Sequence, residues 1–218
     1  MSKSAAANRK AAIIKKVQGF YAGIDGHGWD HVKRVYRTAL WLTHQVGGSE
    51  EIVEAASLLH DIARSKEEKG QCSCHAQEGA SMAKPILISL GYSHQEVKKI
   101  AYAIASHRFS KGIVPTTLEA QVLQDADRLD ALGAIAIARV LHYNGYHGLP
   151  IYDETVPPEA SYHGQKTTAI NHFYEKILKI TPESFHTPPA RKAARKRYRF
   201  IIVFLERFSR EWAGLDLN

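Results

Sequence analysis

The stretch IVEAASLLHDIA, residues 52–63, is an apolar helical segment that ends in a histidine and an aspartate. Its apolar side chains recur at the spacing of a helix: Ile52, Val53, Ala55, Ala56, Leu58 and Leu59. His60 and Asp61 therefore lie in apolar surroundings, where a charged carboxylate needs a partner. A divalent cation is one such partner, because imidazole and carboxylate groups both bind such ions. The alternative is a helix C-terminus, where the histidine favours the helix dipole and the aspartate is incidental.

The same periodicity predicts helices along nearly the whole chain. Beside the quoted stretch, we expect helices over residues 4–22, 28–46, 75–90, 93–107, 116–141, 167–180 and 188–213. Ser93 with Glu96, and Thr116 with Glu119, have the spacing of capping boxes. The polar residues 63–74 indicate a loop. Since no alternating strand pattern of useful length and no internal repeat is present, the sequence predicts an all-α fold.

Length and composition set the expected domain organisation. The 218 residues are 44% hydrophobic and 23% charged, which is typical of one globular domain with a substantial core. We expect a single helical bundle over residues 1–218, with a long loop before its last two helices. A metal-binding core would span about 24–142, and helices over about 167–213 would pack on it.

Composition also bounds the location and the partners. No stretch approaches the roughly 20 apolar residues of a membrane helix, and the N-terminus has no secretory pattern. Cys72 and Cys74 are too few for a disulfide scaffold, so we expect a reducing, cytoplasmic location and no membrane partner. The net charge of +7 favours anionic partners, namely phosphates, nucleotides or nucleic acid.

Two further motifs accompany the histidine–aspartate pair. His27-Gly-Trp-Asp-His31 begins the second predicted helix, and Asp125-Ala-Asp127-Arg-Leu-Asp130 precedes an apolar helical segment. Taken alone, the acids of the second motif are more simply first-turn residues at a helix N-terminus. The combined order of histidine, histidine–aspartate and aspartate is much less expected by chance.

These motifs resemble the all-helical HD-domain phosphohydrolase superfamily, and in particular a branch of small bacterial HD hydrolases. The stretches that carry the resemblance cover nearly the whole chain: HGWDHVKRV (27–35), LLHDIARS (58–65), HAQEGA (75–80), ASHRF (105–109), LQDADRLDALGAIAIAR (123–139), NHFYEKILKI (171–180) and FLERFSREWAG (204–214). The resemblance implies that one divalent cation is bound by four residues: His31, His60, Asp61 and Asp127. Mn²⁺ or Mg²⁺ is favoured, while Fe, Co, Ni and Zn stay possible.

The resemblance also implies an activity. It is nucleotide pyrophosphohydrolase activity, as shown by some members of this branch, which would cleave nucleoside triphosphates to a monophosphate and pyrophosphate with a metal-activated water. Histidines placed like His75 and His107 bind a second metal in binuclear members and contact phosphate or water in mononuclear ones. Asp61, His75 and His107 are therefore the candidate catalytic residues, although the sequence does not assign the general base. Alternatively, the two histidines are ordinary polar residues at helix ends.

Basic residues near these motifs are candidates for binding substrate phosphates. They are Arg34, Arg64, Lys66, Arg108, Arg128 and Lys166. Any one of them alone is more often a solvated surface charge. A further basic face, formed by Arg191, Lys192, Arg195, Lys196, Arg197 and Arg199, is best explained as solvated, so a nucleic-acid partner is possible but not favoured.

Departures from related subclasses leave three other functions open. Monophosphate nucleotidases of the superfamily have a glutamate where this chain has Arg64, and cyclic-dinucleotide phosphodiesterases have motifs absent here. The alternatives are another phosphomonoester or phosphodiester hydrolase, a binuclear iron oxygenase, and a non-catalytic nucleotide or nucleic-acid binding module. A homo-oligomer is compatible with all of them.

The long connection over residues 143–166 is a candidate lid. It contains the polar residues His147, Tyr152, His163 and Lys166, and its glycines permit hinge-like backbone changes. We expect it to be mobile and to lie over the metal cleft. The alternative is a solvent loop packed elsewhere.

Overall fold

The chain folds into helices, in a computed structural model that describes residues 3–21, 28–160, 162, 164 and 167–217. No strand occurs among those residues, which confirms the all-α prediction. The α-helices are α1 (Lys3–Val17), α2 (Trp29–Val46), α3 (Glu50–Leu59), α4 (Arg64–Glu68), α5 (His75–Ser89), α6 (His94–Ser106), α7 (Leu118–Asp130), α8 (Ala134–Tyr146), α9 (Ala169–Glu175) and α10 (Pro188–Trp212). In the described part of the chain, no helix has the length and apolar character needed to cross a bilayer.

The chain forms two compact units, Met1–Asp127 and Arg128–Asn218, called the N-terminal and C-terminal units below. Whether the two act as one domain, with the last helices packed on the metal-binding core, stays a prediction.

The N-terminal unit is built on the apolar helix that carries the quoted stretch. Helix α3 packs against α1, α2 and α6, while α5 packs along α6. The side chains that meet in its core are fully or almost fully buried, among them Val35, Leu42, Leu59, Ile104 and Leu123. Because α3 is surrounded in this way, the two residues directly after it, His60 and Asp61, are carried into the interior.

Local signals start the N-terminal helices much as expected. Ser49 Oγ accepts a hydrogen bond from the backbone N–H of Ile52 at 3.4 Å, which caps α3. Ser93 and Glu96 form the predicted capping box at α6. The predicted box at Thr116 is wrong: Thr117 Oγ1 accepts from Ala120, at 3.4 Å.

Two segments depart from the predicted helix boundaries. The polar segment expected to be a loop contains the short helix α4, whose residues Arg64 and Glu68 pair one turn apart at 3.1 Å. The apolar segment expected to be one long helix is broken at Gly133, whose φ of +79° suits a glycine and ends α7 before α8 begins.

The C-terminal unit contains α8, α9 and α10, with α8 in contact with both of the others. The start of the proposed lid, residues 143–146, completes α8. Two buried asparagines hold the rest of the connection: Asn144 donates to the carbonyls of Pro150 and Thr167, at 3.4 and 3.2 Å, and Asn171 donates to Val156. His163 and Lys166 lie outside the described residues, and the mobility and the position of the lid stay predictions.

Candidate metal centre

Five buried polar residues of the N-terminal unit come from the ends of four helices. His31 is in the first turn of α2, His60 and Asp61 directly follow α3, His75 begins α5, and His107 directly follows α6. Each is at most 3% exposed. Helix ends bring side chains to one place without interrupting the apolar contacts between the helix bodies, which explains how so polar a cluster fits within this core.

Three of these residues form the first donor group. The Nε2 atoms of His31 and His60 are 3.3 Å apart, and Asp61 Oδ2 lies 3.8 and 3.7 Å from them, respectively. Asp127, from α7, adds a carboxylate whose Oδ1 is 3.3 Å from His31 Nε2. The four residues predicted to bind a cation are thus brought together.

The second donor group shares Asp61 with the first. Its other oxygen, Oδ1, lies 3.2 Å from His75 Nε2 and 3.5 Å from His107 Nε2. Within each group of three, one ligand atom per residue lies within 4.8 Å of the others. The carboxylate of Asp61 therefore faces two pairs of imidazoles, one pair on each oxygen.

Hydrogen bonds at the far side of the rings assign the tautomers. His60 Nδ1 is 2.8 Å from the carbonyl oxygen of Ser57, and His107 Nδ1 is 2.7 Å from that of Ile104. Because a carbonyl oxygen only accepts, each Nδ1 carries the proton, and a neutral ring then has a bare Nε2. The lone pair of His60 Nε2 thus points at His31 and Asp61, an arrangement that a cation stabilises. The donor set therefore fits a divalent metal.

Comparison with known proteins places the chain in a family. The model of the HD domain matches residues 28–132. A solved structure from Lactobacillus plantarum is 33% identical, with a TM-score of 0.77 and coverage of 98% of this chain and 99% of that one. An HD-superfamily hydrolase from Bacillus thuringiensis is 34% identical, with a TM-score of 0.75 and coverage of 95% and 98%. This chain belongs to the HD superfamily of hydrolases.

A third HD-fold relative is YpgQ of Bacillus subtilis. Its sequence is 28% identical over 195 residues, which are 88% of this chain and 87% of YpgQ. Its crystal structure in complex with ADP is 26% identical, with a TM-score of 0.75 and coverage of 97% and 99%. The HD domain is a metal-dependent phosphohydrolase domain that binds divalent metals, so the chain is such an enzyme.

The electrostatics of the HD site keep His60 and Asp127 in the forms that a cation requires. Burial lowers the pKa of His60 to about 4, so its ring is neutral near neutral pH. Burial opposes ionisation of Asp127, but its hydrogen bond to His31 and the charges of the histidines hold its pKa well below the usual range. Burial also disfavours the charged form of His107, yet the adjoining Asp61 carboxylate outweighs this and raises its pKa.

Some of the candidate phosphate-binding residues lie beside the donor cluster, and others lie elsewhere. Arg64 Nη1 lies 3.5 Å from His75 Nδ1, and Arg108 is joined to the same histidine through Glu67. Lys66 pairs with Glu78 at 2.5 Å, while Arg34 is half-buried one turn beyond His31. Lys166 and His27 lie outside the described residues.

Arg128 has a different environment, within the C-terminal unit. Its side chain is 4% exposed, donates to the carbonyl and the hydroxyl of Ser184, and stands 4.2 Å from the ring centre of Phe185. Through these contacts, Arg128 braces the end of α7 against the turn before α10. Its predicted contact with substrate is an open prediction.

Glu67 is a residue of this site that the sequence motifs do not indicate. Its Oε2 is 2.5 Å from His75 Nδ1, and its Oε1 is 2.5 Å from Arg108. Burial opposes ionisation, but these two partners lower the pKa of Glu67, so it is a carboxylate near neutral pH. Glu67 lies in the segment expected to be a loop, and no local pattern there indicates its partners.

Proposed function

We propose that this enzyme hydrolyses nucleoside triphosphates to a monophosphate and pyrophosphate. One observation carries the proposal: a metal-type donor cluster around Asp61 adjoins two guanidinium groups, those of Arg64 and Arg108. Carboxylate and imidazole donors suit a phosphate-bound divalent cation, and guanidinium groups match the geometry and charge of phosphate oxygens. The complex of the relative YpgQ with ADP supports a nucleotide as the ligand.

Within the proposed site, His31, His60, Asp61 and Asp127 would hold the cation. When bound, a divalent cation supplies positive charge at the phosphoryl oxygens and lowers the pKa of a water molecule. Mn²⁺ or Mg²⁺ is the proposed ion. Metal binding requires neutral histidine ligands and charged aspartate ligands, which is the state that the pKa shifts of His60 and Asp127 favour.

The chain's own groups would position water and take up its proton. His75 Nδ1 faces the Glu67 carboxylate at 2.5 Å, which leaves the Nε2 of the neutral ring, on the side of Asp61, free to accept a proton. In the proposed reaction, the water oxygen bonds to the α-phosphorus, its proton passes to His75 Nε2, and the bond from the α-phosphorus to the bridging oxygen breaks. His107, whose pKa is raised, would contribute positive charge as pyrophosphate leaves.

A labelled-water screen tests both the substrate and the bond that is cleaved. Ribonucleoside and deoxyribonucleoside triphosphates are incubated with the enzyme and Mn²⁺ or Mg²⁺ in H₂¹⁸O, with Asp61→Asn as the inactive control. We expect pyrophosphate as product and the heavy oxygen in the monophosphate. Release of orthophosphate, label in pyrophosphate, or no hydrolysis of any nucleotide would contradict the proposal.

The second donor group favours one alternative, a binuclear site. Asp61, His75 and His107 offer three ligand atoms of their own, as a di-iron oxygenase or a two-metal hydrolase would require. Elemental analysis of the purified chain discriminates between these functions. One Mn²⁺ or Mg²⁺ per chain supports the main proposal, whereas two irons with oxygen consumption support the oxygenase.

A further inference from the structure

We propose that Glu67 is a positioning residue that holds His75 in the tautomer with a bare Nε2 and keeps Arg108 beside the site. The role attributed to His75 rests on the proposed function, but the tautomer itself does not. Glu67 lies in α4, six positions after Asp61, and its two oxygens serve two different partners. It thereby joins α4 to the first residue of α5 and to the residue following His107.

His75 Nδ1 has two polar neighbours, a carboxylate and a guanidinium. Glu67 Oε2 lies 2.5 Å away, whereas Arg64 Nη1 lies 3.5 Å away. The carboxylate is within the range of a strong hydrogen bond, and the guanidinium is at the limit. Both ring nitrogens face a carboxylate, which only accepts, but Asp61 Oδ1 is farther from Nε2, at 3.2 Å. The shorter contact therefore places the proton of the neutral ring on Nδ1 and leaves Nε2 bare toward Asp61.

The rings around Asp61 are held in two different ways. His60 and His107 have their Nδ1 atoms fixed by backbone carbonyls of the helices that they follow, which no side-chain substitution removes. His75 begins its helix, and its Nδ1 is held by a side chain instead. Glu67 therefore fixes the Nδ1 proton of His75, as the helix carbonyls fix those of His60 and His107. Of these three hydrogen-bond acceptors, Glu67 is the one that a substitution can remove.

The contact between Glu67 and His75 differs from an ordinary surface ion pair. An exposed pair contributes little, on the order of 0–1 kcal/mol, and its loss leaves the chemistry unaffected. The Glu67 side chain is only 21% exposed, and that of His75 is 3% exposed. Removal of a hydrogen-bond partner behind a site histidine typically costs about 10–100-fold in affinity or activity.

The tautomer is measured directly by ¹⁵N NMR of the full chain loaded with Mg²⁺, with the His75 signals assigned by their loss in His75→Gln. We expect Nδ1–H in the wild type and a substantial Nε2–H population in Glu67→Ala. Glu67→Gln, whose amide oxygen still accepts from Nδ1, should retain the wild-type tautomer. Nε2–H in the wild type would overturn the proposal, and this measurement does not depend on the folding of any variant. An unchanged tautomer in Glu67→Ala would overturn it as well.

Kinetics add a second, independent readout. We expect kcat to fall about 10–100-fold in Glu67→Ala and to recover in part in Glu67→Gln. The matched control is Glu50→Ala, since Glu50 pairs with the exposed His44 at 3.2 Å and should leave both the kinetics and the His75 signals unchanged. Equal losses in both Glu67 variants would overturn the positioning role. A wild type that hydrolyses no nucleotide would contradict the proposed function alone, since the NMR result stands without it.

Discussion

The Nε2 atom of His60 lies 3.3 Å from the Nε2 atom of His31, in the buried interior of the N-terminal unit. Because His60 Nδ1 donates to the Ser57 carbonyl oxygen, the lone pair on His60 Nε2 faces His31, where a proton or a cation would stabilise it. Burial keeps the pKa of His60 at about 4, so a proton is unfavourable near pH 7. A metal ion at this place would therefore stabilise the buried lone pair of His60 Nε2.

Metal removal should accordingly destabilise the protein. A ligand that binds only the folded state at 100 times its dissociation constant adds about 2.7 kcal/mol to the free energy of unfolding. We expect Mn²⁺ to raise Tm and a chelator to lower it, and Asp61→Asn to abolish this response and the bound metal. Asp30→Asn, at an exposed residue of α2 that pairs with Lys33, is the control. An unchanged metal content in Asp61→Asn would refute the ligand assignment.

A second prediction concerns the close approach of α5 to the turn at His60. A Cβ added at Gly79 would lie 3.3 Å from the His60 carbonyl oxygen, which is backbone and cannot swing aside. We expect Gly79→Ala to lower the free energy of unfolding by about 1–3 kcal/mol and to weaken metal binding. Urea unfolding and metal titration measure both effects.

The control for that substitution is another helical glycine. Gly145, in α8, has nothing within 4 Å of an added Cβ. Gly145→Ala should therefore be neutral or stabilising by about 0.5–1 kcal/mol, since alanine favours the helix. If the two substitutions had the same effect, the contact with His60 would not be limiting.

Periodicity predicts most of the helices because each buries one apolar face, and the capping box at Ser93 is readable because its partners are three residues apart. The failures involve partners distant in sequence and backbone geometry. Glu119, expected to cap its own helix, instead accepts from the backbone of Ser49, 70 positions away. Gly133 lies within a segment of helical periodicity, yet its positive φ separates two helices there.

The residues of the site also fall into two groups, those that the sequence indicates and those that it does not. The donors around His60 and Asp61 are recognisable because the motif order resembles a known superfamily. Glu67 is not, because Arg108 is 41 positions away and the segment between carries no pattern that relates the two. The side-chain network behind the ligands depends on tertiary contacts, which composition and spacing do not encode.

A third prediction separates a bracing role of Arg128 from a role in substrate binding. Its guanidinium donates to the Ser184 carbonyl at 2.8 Å and stands over Phe185, a geometry that lysine does not reproduce. If bracing dominates, Arg128→Lys should lower the free energy of unfolding by about 1.5–3 kcal/mol with little change in KM. Arg199→Lys, at an exposed position of α10, should be neutral. A raised KM at unchanged stability would instead support the predicted contact with substrate.

A last prediction concerns acid stability and uses a histidine far in sequence from the metal motifs. His172, in α9 of the C-terminal unit, is largely buried against Tyr162, with ring centres 5.1 Å apart. Burial, assisted by the charge of Lys176, lowers the pKa of His172 to about 4, whereas an unfolded histidine titrates near about 6.5. Between these two values the unfolded chain binds a proton that the folded chain does not. The free energy of unfolding therefore falls as pH drops from about 6.5 to about 4, by up to about 1–3 kcal/mol from this residue.

Substitution by a side chain that does not titrate should remove that part of the pH dependence. We expect His172→Gln to be less stable than the wild type at pH 7.5, because the ring contact with Tyr162 is lost. The difference should shrink or reverse at pH 5, since only the wild type carries the proton-linked penalty. His44→Gln, at an exposed histidine, should keep the wild-type slope. Urea unfolding at a series of pH values in the presence of a chelator, so that metal release does not contribute, measures the slope. If the slope in His172→Gln equalled that of the wild type, folding would not lower the pKa of His172.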